Sequence, residues 1–326
     1  MEERKLKGRV CVTGGAGFIA SWIIKRLLQN DYYVNLTVRQ DPEYGEDTSF
    51  LYNLPGASER LQVFNANLSD PESFNAAIEG CTGVFHVACE VGHQIKEPEE
   101  VVTKRSIDGA RGILKACLNS KTVKRVVYTS SAAAVSFKDK EDGVKDESFW
   151  SDVDYLRSSK ILTWFYAVSK ILTEKAMLEF GEQNGLDVVS VIPTMVLGPF
   201  ITPKPPSSVL ASLCLAFGTH PVGFALPAAM VHVDDLAKAH IFLLEHPNPK
   251  GRYICSSCYV TAEMVSQIAS TKYPEFQQKT PDQVIKLPDY SSKKLIDLGF
   301  VFKYGLEEML DDAIQCCKEK GIPLKW

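Results

Sequence analysis

A glycine-rich turn near the start of the chain constrains the fold more than any other feature. Residues 9–13 have the apolar, β-branched content of a short strand, a GGAG turn follows at 14–17, and an amphipathic helix pattern runs on to about residue 30. Gly14 permits a tight turn, Gly17 leaves room for the backbone to approach a pyrophosphate, and Ala20 lets the helix pack close to the strand. Free N–H groups at the helix N-terminus would then bind the pyrophosphate. The stretch therefore predicts a dinucleotide site, with contacts from Gly14, Ala16, Gly17, Phe18 and Ile19.

Strand and helix patterns alternate through the first 195 residues. Apolar strands are predicted near residues 33–38, 61–66, 83–88, 125–131 and 187–192, with helices between most of them. This alternation is typical of an α/β protein with a Rossmann-type, doubly wound parallel sheet. After residue 196 the alternation breaks, which predicts a smaller C-terminal α/β lobe for substrate. We assign residues 1–195, with 228–246 returning to them, to an NADP(H)-binding domain, and residues 196–227 and 247–326 to the substrate lobe.

The composition excludes several classes of protein. The chain is 45% hydrophobic and 23% charged with a formal net charge of −4, and it has no basic run that indicates nucleic acid or a membrane surface as a partner. No apolar run reaches the ~18 residues of a membrane span, and the N-terminus lacks the apolar core of a signal peptide. Nine cysteines without such a signal predict reduced thiols in a cytoplasmic protein. The C-x-x-C pair Cys255 and Cys258 follows a predicted strand, so we interpret it as structural thiols and predict no metal site.

The second predicted strand ends at Arg39. In this fold the end of that strand lies beside the adenosine ribose, where an acidic residue favours NAD and an arginine favours the 2′-phosphate of NADP. Arg39 therefore predicts NADPH/NADP+ as the cofactor. The acidic stretch at 46–47 supplies no second cation, and a solvated surface arginine is the alternative interpretation.

Tyr166 and Lys170 lie four residues apart on a predicted helix, so their side chains project from one face. An ammonium near a phenol favours the phenolate, and we expect it to lower the pKa of Tyr166 from ~10 towards neutrality. Such a phenol suits acid or base chemistry at a carbonyl, while Lys170 could also hold the nicotinamide ribose. Ser131 ends the predicted strand 125–131 and is placed to polarise a substrate carbonyl. We predict Ser131, Tyr166 and Lys170 as the catalytic residues.

The same Y-x-x-x-K spacing recurs at Tyr290 and Lys294. This second pair has no glycine-rich unit of its own and no strand-end serine before it. We interpret it as part of a surface helix without a catalytic role.

Five motifs together resemble the extended short-chain dehydrogenases/reductases, and within them the plant dihydroflavonol 4-reductase and vestitone reductase group. They are VTGGAGF at 12–18, GVFHVA at 83–88, YTSS at 128–131, YAVSK at 166–170 and VHVDD at 231–235. The segments 202–206 and 254–257 also resemble noscapine synthase, an NAD-dependent dehydrogenase of a cyclic hemiacetal.

This resemblance implies roles for individual residues. It implies Ser131, Tyr166 and Lys170 as the catalytic triad, with Ser130 the less favoured serine. Asn67 replaces the usual aspartate at the adenine, and its amide oxygen can still accept a hydrogen bond. The cofactor contacts that the resemblance implies at the strand ends and in the catalytic centre are Arg39, Asn67, Leu68, Val87, Ala88, Thr129, Tyr166, Lys170, Pro193, Thr194, Met195 and Val196.

The departures from the family lie on the substrate side. A CEVGH run at 89–93 replaces the Thr-Pro or Ser-Pro run of the flavonoid reductases, so a basic alkaloid nitrogen or a polyhydroxylated ring becomes a plausible substrate group. A solvated loop is the alternative. Ala167 replaces a bulky phenylalanine, and Ser136 falls at or near the position that contacts the flavonoid B-ring. The predicted substrate-binding residues are Cys89, Glu90, Val91, His93, Ser131, Ser136, Tyr166 and Ala167.

The sequence thus predicts an NADPH-dependent carbonyl reductase of plant specialised metabolism, acting on a polycyclic aromatic or heterocyclic ketone of flavonoid, isoflavonoid or alkaloid type. Hydride would pass from the nicotinamide to the carbonyl carbon, and Tyr166 would protonate the oxygen. Two alternatives remain: an NAD(P)-dependent dehydrogenase that oxidises an alcohol or lactol, and a non-catalytic nucleotide-binding protein. A small molecule is the only partner predicted, and we expect a monomer, with a homodimer left open.

Overall fold

The computed structural model describes residues 6–39, 47–89, 97–138, 143–161, 163–217, 227–274 and 288–324. These residues form ten strands: β1 (Arg9–Thr13), β2 (Tyr33–Val38), β3 (Leu61–Asn65), β4 (Gly83–His86), β5 (Arg125–Thr129), β6 (Val188–Pro193), β7 (Met195–Leu197), β8 (Ala228–His232), β9 (Gly251–Cys255) and β10 (Cys258–Val260). Twelve α-helices connect them: α1 (Phe18–Gln29), α2 (Ser49–Tyr52), α3 (Ala57–Arg60), α4 (Asn75–Ile78), α5 (Glu99–Ser120), α6 (Val153–Ser159), α7 (Trp164–Asn184), α8 (Ser207–Phe217), α9 (Val233–Glu245), α10 (Ala262–Lys272), α11 (Lys293–Asp297) and α12 (Leu306–Glu319).

Seven strands form one parallel sheet in the order β3-β2-β1-β4-β5-β6-β9. The strand order reverses between β1 and β4, so the connections on the two sides of that point leave the sheet in opposite directions. A crevice at the carboxyl ends of these strands is where a doubly wound sheet binds ligands. The sheet confirms the predicted Rossmann-type fold class.

Side chains of successive residues on β1 enter two different cores, because a strand alternates its faces. Val10 and Val12 pack in the core that holds helices α1 and α9. Cys11 packs in the core that holds α5 and the buried Met177 of α7. Both faces of the sheet are covered, which explains why its central strands are apolar throughout.

Three short strands form a second sheet in the order β10-β8-β7. This sheet and helices α8, α10 and α12 share one apolar core. The arrangement moves the predicted domain boundary in two places. Strand β9 (251–255) pairs with β6 in the large sheet, although the sequence assigned it to the substrate lobe. Strand β8 (228–232) lies in the small sheet, although its Val231 packs with α9 in the core of the large sheet.

The segment between β5 and α7 contains a 3₁₀ turn at Ala132–Ala134 and helix α6. Asp152 caps α6 by accepting a hydrogen bond from the backbone N–H of Tyr155 at 2.9 Å. In the part of the chain that the structure describes, no helix combines the length and the apolar character needed to cross a membrane.

Candidate active site

The glycine-rich turn brings β1 and α1 close to the end of β4. Gly14 has a φ of +68°, and a Cβ at this position would lie 2.9 Å from the Cα of Ala88. Gly17 is the N-cap of α1, with no side-chain cap and no acidic residue in the first helical turn. The first N–H groups of α1 are therefore available to an anion beside a partial positive charge. This geometry fits a pyrophosphate, as the sequence predicted.

Thr13, which the sequence analysis missed, joins the ends of β1 and β4. Its hydroxyl oxygen accepts hydrogen bonds from the backbone N–H groups of Val87 and Ala88 at 3.1 and 3.0 Å. The same hydroxyl lies 2.9 Å from Nδ1 of His86 and can donate to it. Thr13, the last residue of β1, thus holds in place Val87 and Ala88, which are two predicted cofactor contacts.

The predicted adenosine contacts lie at the ends of β2 and β3. Arg39 is exposed and directly follows β2, and the backbone of β2 is tied to the glycine turn by the bond from Gly15 N to Thr37 O at 2.8 Å. Asn67 is exposed and accepts a hydrogen bond from the Ser69 N–H at 3.0 Å through its Oδ1. Leu68 is buried in the core beneath it.

The turn from β6 to β7 carries an unusual polar atom. The Thr194 hydroxyl is buried and has no hydrogen-bond partner among the described residues. Buried hydroxyls are almost always paired, so a ligand group that bonds Thr194 would complete the site. With the open end of α1, this unpaired hydroxyl is a second feature that fits the dinucleotide predicted from the sequence.

Helix α7 and the end of β5 bring the three predicted catalytic residues together. The Ser131 side chain lies beside the Tyr166 phenol, close enough to lower its pKa. Lys170 is buried one helical turn further on, and its Nζ donates to the backbone carbonyl of Thr129 at 2.7 Å. The same ammonium lies 5.1 Å from the ring centroid of Tyr128.

The net pKa shift of Tyr166 differs from the sequence expectation. Burial raises the pKa of Tyr166 above its ordinary value, and the charge of Lys170 and the neighbouring Ser131 hydroxyl lower it by less. The expected fall towards neutrality is therefore wrong for the cofactor-free protein, because burial disfavours the phenolate. For Lys170, burial alone would lower the pKa, but the acidic groups of Cys89, Tyr128 and Tyr166 raise it overall. The site holds a protonated phenol beside an ammonium, which suits a proton donor.

Glu174 lies two helical turns beyond Tyr166 on the same face of α7 and was also missed. Its fully buried carboxylate accepts hydrogen bonds from Ser130 at 2.7 Å and Ser190 at 2.6 Å, and it pairs with Arg252 at 3.0 Å. Ser130 is thus occupied away from Tyr166, which favours Ser131 as the catalytic serine. The sequence signal that could have identified Glu174 is a carboxylate that falls on the buried face of a predicted helix.

The predicted substrate-binding residues differ in where the structure places them. Cys89 and Ser136 are half-buried, and Cys89 lies close enough to Tyr166 and Lys170 to raise the pKa of both. Glu90, Val91 and His93 lie outside the described residues. Ala167 is fully buried in a core cluster with Leu156 and Ile171. Its predicted contact with substrate is therefore corrected, because the residue after Tyr166 on the helix points away from the crevice.

The second Y-x-x-x-K pair is not on a surface helix. Tyr290 lies before α11, is only 8% exposed, and places its hydroxyl 2.6 Å from the Ser136 hydroxyl. Lys294 is on α11 and donates to the backbone carbonyls of Lys250 and Arg252 at 2.7 and 2.8 Å. The interpretation as a surface helix is wrong for Tyr290, because α11 begins only at Lys293 and Tyr290 is buried before it.

Comparison with known proteins places this site in a family. The family model "NAD dependent epimerase/dehydratase family" matches residues 10–255, and the chain belongs to this family. Vestitone reductase of Medicago sativa is 59% identical over 320 residues, covering 97% of this chain and 98% of the relative. Its crystal structure matches with a TM-score of 0.88 at 57% identity, over 97% of this chain and 100% of that one.

Two further relatives extend the comparison. Dihydroflavonol 4-reductase of Arabidopsis thaliana is 44% identical over 97% of this chain and 84% of its own length. The crystal structure of yeast methylglyoxal/isovaleraldehyde reductase complexed with NADPH matches with a TM-score of 0.79 at 25% identity, over 97% of this chain and 100% of that one. The protein is an NADP-dependent oxidoreductase that acts on C=O and CH–OH groups, which confirms the predicted enzyme class and the predicted cofactor.

Proposed function

We propose that this protein reduces a polycyclic aromatic ketone of isoflavonoid or flavonoid type with NADPH. The similarity to vestitone reductase over nearly the full length of both chains supports an isoflavonoid ketone first. The similarity to dihydroflavonol 4-reductase supports a related flavonoid ketone second. The run at 90–93, which suggested a basic alkaloid substrate, lies outside the described residues, so that substrate class rests on the sequence alone.

One observation carries the proposal: the half-buried Tyr166 lies beside Ser131 and one helical turn from the buried ammonium of Lys170. Ketone reduction requires a proton at the oxygen when the carbon accepts a hydride. The protonated phenol of Tyr166 can supply it, and the hydroxyl of Ser131 can hold the carbonyl oxygen by a hydrogen bond. A scaffold protein would have no need for this constellation.

Different residues of the chain then bind the cofactor and support the proton transfer. NADPH, when bound, supplies the hydride that reduces the carbonyl carbon. Gly14, Gly17 and the N-terminus of α1 would hold the pyrophosphate, and Arg39 the 2′-phosphate. Lys170 keeps a positive charge beside Tyr166 and so stabilises the phenolate that remains after proton transfer. Protonation from solvent restores Tyr166, so one ketone, one NADPH and one proton give one alcohol and one NADP+.

We also infer that the enzyme acts as a monomer in the reducing cytoplasm. All nine cysteines are free thiols, as expected where disulfides do not persist. Among the described residues the large exposed apolar side chains are scattered over several elements: Leu6, Tyr52, Val101, Val144, Met264, Ile296 and Val301. Scattered side chains of this kind do not form the contiguous patch that a stable dimer needs.

The test is turnover with a panel of isoflavanone and dihydroflavonol ketones and of alkaloid ketones and lactols, each with both cofactors in the matching redox state. We expect reduction of an isoflavonoid or flavonoid ketone with NADPH preferred over NADH. Turnover confined to NAD and a lactol would instead move the protein to the dehydrogenase alternative. NADPH binding without turnover of any ketone or alcohol would contradict the proposal.

A further inference from the structure

Glu174 and Arg252 form a buried ion pair one helical turn beyond Lys170. Arg252 donates to both carboxylate oxygens of Glu174, from Nε at 3.0 Å and from Nη2 at 3.3 Å. Both side chains are buried, that of Glu174 fully. Replacing a buried ion pair by apolar residues of similar size is often neutral or stabilising, so stability alone does not explain this one.

The carboxylate of Glu174 holds the residue that precedes Ser131. The hydroxyl of Ser130 donates to Oε2 of Glu174 at 2.7 Å. Glu174 lies on α7 together with Tyr166 and Lys170, whereas Ser130 and Ser131 follow β5. This bond therefore fixes the separation between the helix that carries the phenol and the strand end that carries the serine.

The guanidinium of Arg252 holds a second segment, residues 147–150. Its Nη1 donates to the backbone carbonyls of Glu147 and Phe149 at 2.9 and 2.6 Å. The guanidinium carbon lies 3.4 Å from the ring centroid of Trp150. One side chain thus orders the whole of this segment.

The residue after that segment, Ser151, holds the 3₁₀ turn that follows Ser131. Its hydroxyl donates to the carbonyl of Ala133 at 2.8 Å, and its backbone N–H donates to the carbonyl of Ala134 at 2.9 Å. The N–H of Ala133 in turn donates to Oγ of Ser131 at 3.2 Å. We call residues 130–134 the catalytic turn. The ion pair therefore reaches the catalytic turn from both sides of Ser131.

We propose that Glu174 and Arg252 are positioning residues that together hold the Ser131 hydroxyl where the carbonyl oxygen of the substrate is bound. This inference rests on the proposed function, because it concerns the same ketone reduction. Glu174 acts through Ser130, and Arg252 acts through residues 147–151. A hydroxyl that moves away from the carbonyl oxygen stabilises less of the negative charge that develops there.

Two serines on the same carboxylate provide a matched test. Ser190 of β6 is buried like Ser130 and donates to Oε1 of Glu174 at 2.6 Å, but it adjoins no catalytic residue. Ser130→Ala should lower kcat about tenfold, less than the ~100-fold that a displacement of 1 Å can cost. Ser190→Ala should keep kcat within about twofold of the wild type. Each variant loses one hydrogen bond to the carboxylate, so chemical denaturation should show similar shifts of the midpoint.

A pH profile of alcohol oxidation separates positioning from stability. Oxidation needs the phenolate of Tyr166, and the neighbouring Ser131 hydroxyl lowers the pKa of that phenol. Displacing Ser131 in Ser130→Ala should therefore move the rise of the rate to higher pH, while Ser190→Ala keeps the wild-type profile. Lys170 and Cys89, the other titratable groups that act on Tyr166, are unchanged in both variants.

Arg252→Lys tests the second connection. Lysine keeps the positive charge beside Glu174 but lacks the planar fork that also bonds two carbonyls. We expect a lower kcat and the same displacement of the pH profile. Arg125→Lys is the matched control, because Arg125 is also buried, donates to Asp187 at 2.8 Å and bonds three backbone carbonyls. Arg125 begins β5, at the opposite end from Ser131, so this control should keep the wild-type kcat and profile.

The outcomes distinguish the positioning role from the proposed function. If Ser130→Ala and Arg252→Lys keep the wild-type kcat and pH profile, the positioning role is overturned while the proposed function stands. If the two controls lose as much kcat as their counterparts, the effect is one of general stability, and the positioning role is again overturned. If Arg252→Lys does not fold, the comparison of the two serines decides the matter. If the wild type reduces no ketone, both proposals are overturned.

Discussion

The two Y-x-x-x-K pairs have the same spacing and different structures. In the first, both residues lie within α7, so Tyr166 and Lys170 share one face and reach the end of β5 together. In the second, Tyr290 precedes α11 and Lys294 lies inside it, so the two side chains separate. Lys294 turns to the carbonyls of β9, and Tyr290 turns to Ser136.

The difference shows what a four-residue spacing requires. It brings two side chains together only where the backbone is helical through all five residues. Even then, a phenol and an ammonium can take part in catalysis only where both groups border a cofactor crevice. The following substitutions test this contrast, from the largest expected effect to the smallest.

Tyr166→Phe should lower kcat about a thousandfold, since general acid catalysis contributes ~10²–10⁴. The ring remains, so the fold and NADPH binding should be retained. Steady-state kinetics and fluorescence titration with NADPH measure the two effects. A Tyr166→Phe enzyme with near-wild-type kcat would remove Tyr166 from the mechanism.

Lys170→Met should lower kcat about a hundredfold, because the phenolate left after proton transfer loses its neighbouring charge. The pH profile gives a second readout. Alcohol oxidation needs the phenolate, so its rate rises with pH through the pKa of Tyr166. Removing the ammonium, which lowers that pKa, should move this rise to higher pH. An unmoved profile would show that Lys170 acts only through the packing of α7.

Arg39→Ala tests the cofactor site that surrounds the first pair and not the second. We expect KM for NADPH to rise about tenfold or more, the loss of a charge-assisted hydrogen bond to phosphate. KM for NADH should change little, because NADH has no 2′-phosphate. Arg111→Ala, an exposed arginine of α5, is the control. Equal effects on both cofactors would show that Arg39 is a surface charge that does not bind the 2′-phosphate.

Lys294→Met should leave kcat within about twofold of the wild type, because Lys294 bonds only backbone carbonyls away from the crevice. The expected cost is about 1–2 kcal/mol in the free energy of unfolding, from two carbonyls that lose a charged donor. Chemical denaturation measures it. A loss of kcat as large as that of Lys170→Met would mean that Lys294, like Lys170, contributes to catalysis.

Much of this molecule could be predicted from local patterns. The strand–turn–helix at 9–29, the parallel sheet and the helix that carries Tyr166 depend on short-range periodicity and on glycines with defined roles. Other features depended on partners far along the chain. Glu174 meets Arg252, Thr13 meets Ala88, and β9 joins β6, and no local pattern announces such contacts.

The sequence by itself determined the fold class, the position of the cofactor turn and the identity of the catalytic candidates, because each depends on spacing within one element. Only the tertiary structure decided that Ser130 bonds Glu174 while Ser131 lies beside Tyr166. It also decided that burial outweighs Lys170 in setting the pKa of Tyr166, and that Ala167 belongs to the core. Tyr290, more than a hundred residues from Tyr166, reaches the catalytic turn through packing alone. Burial and long-range contact are properties of the folded chain, and a spacing of residues along the sequence does not contain them.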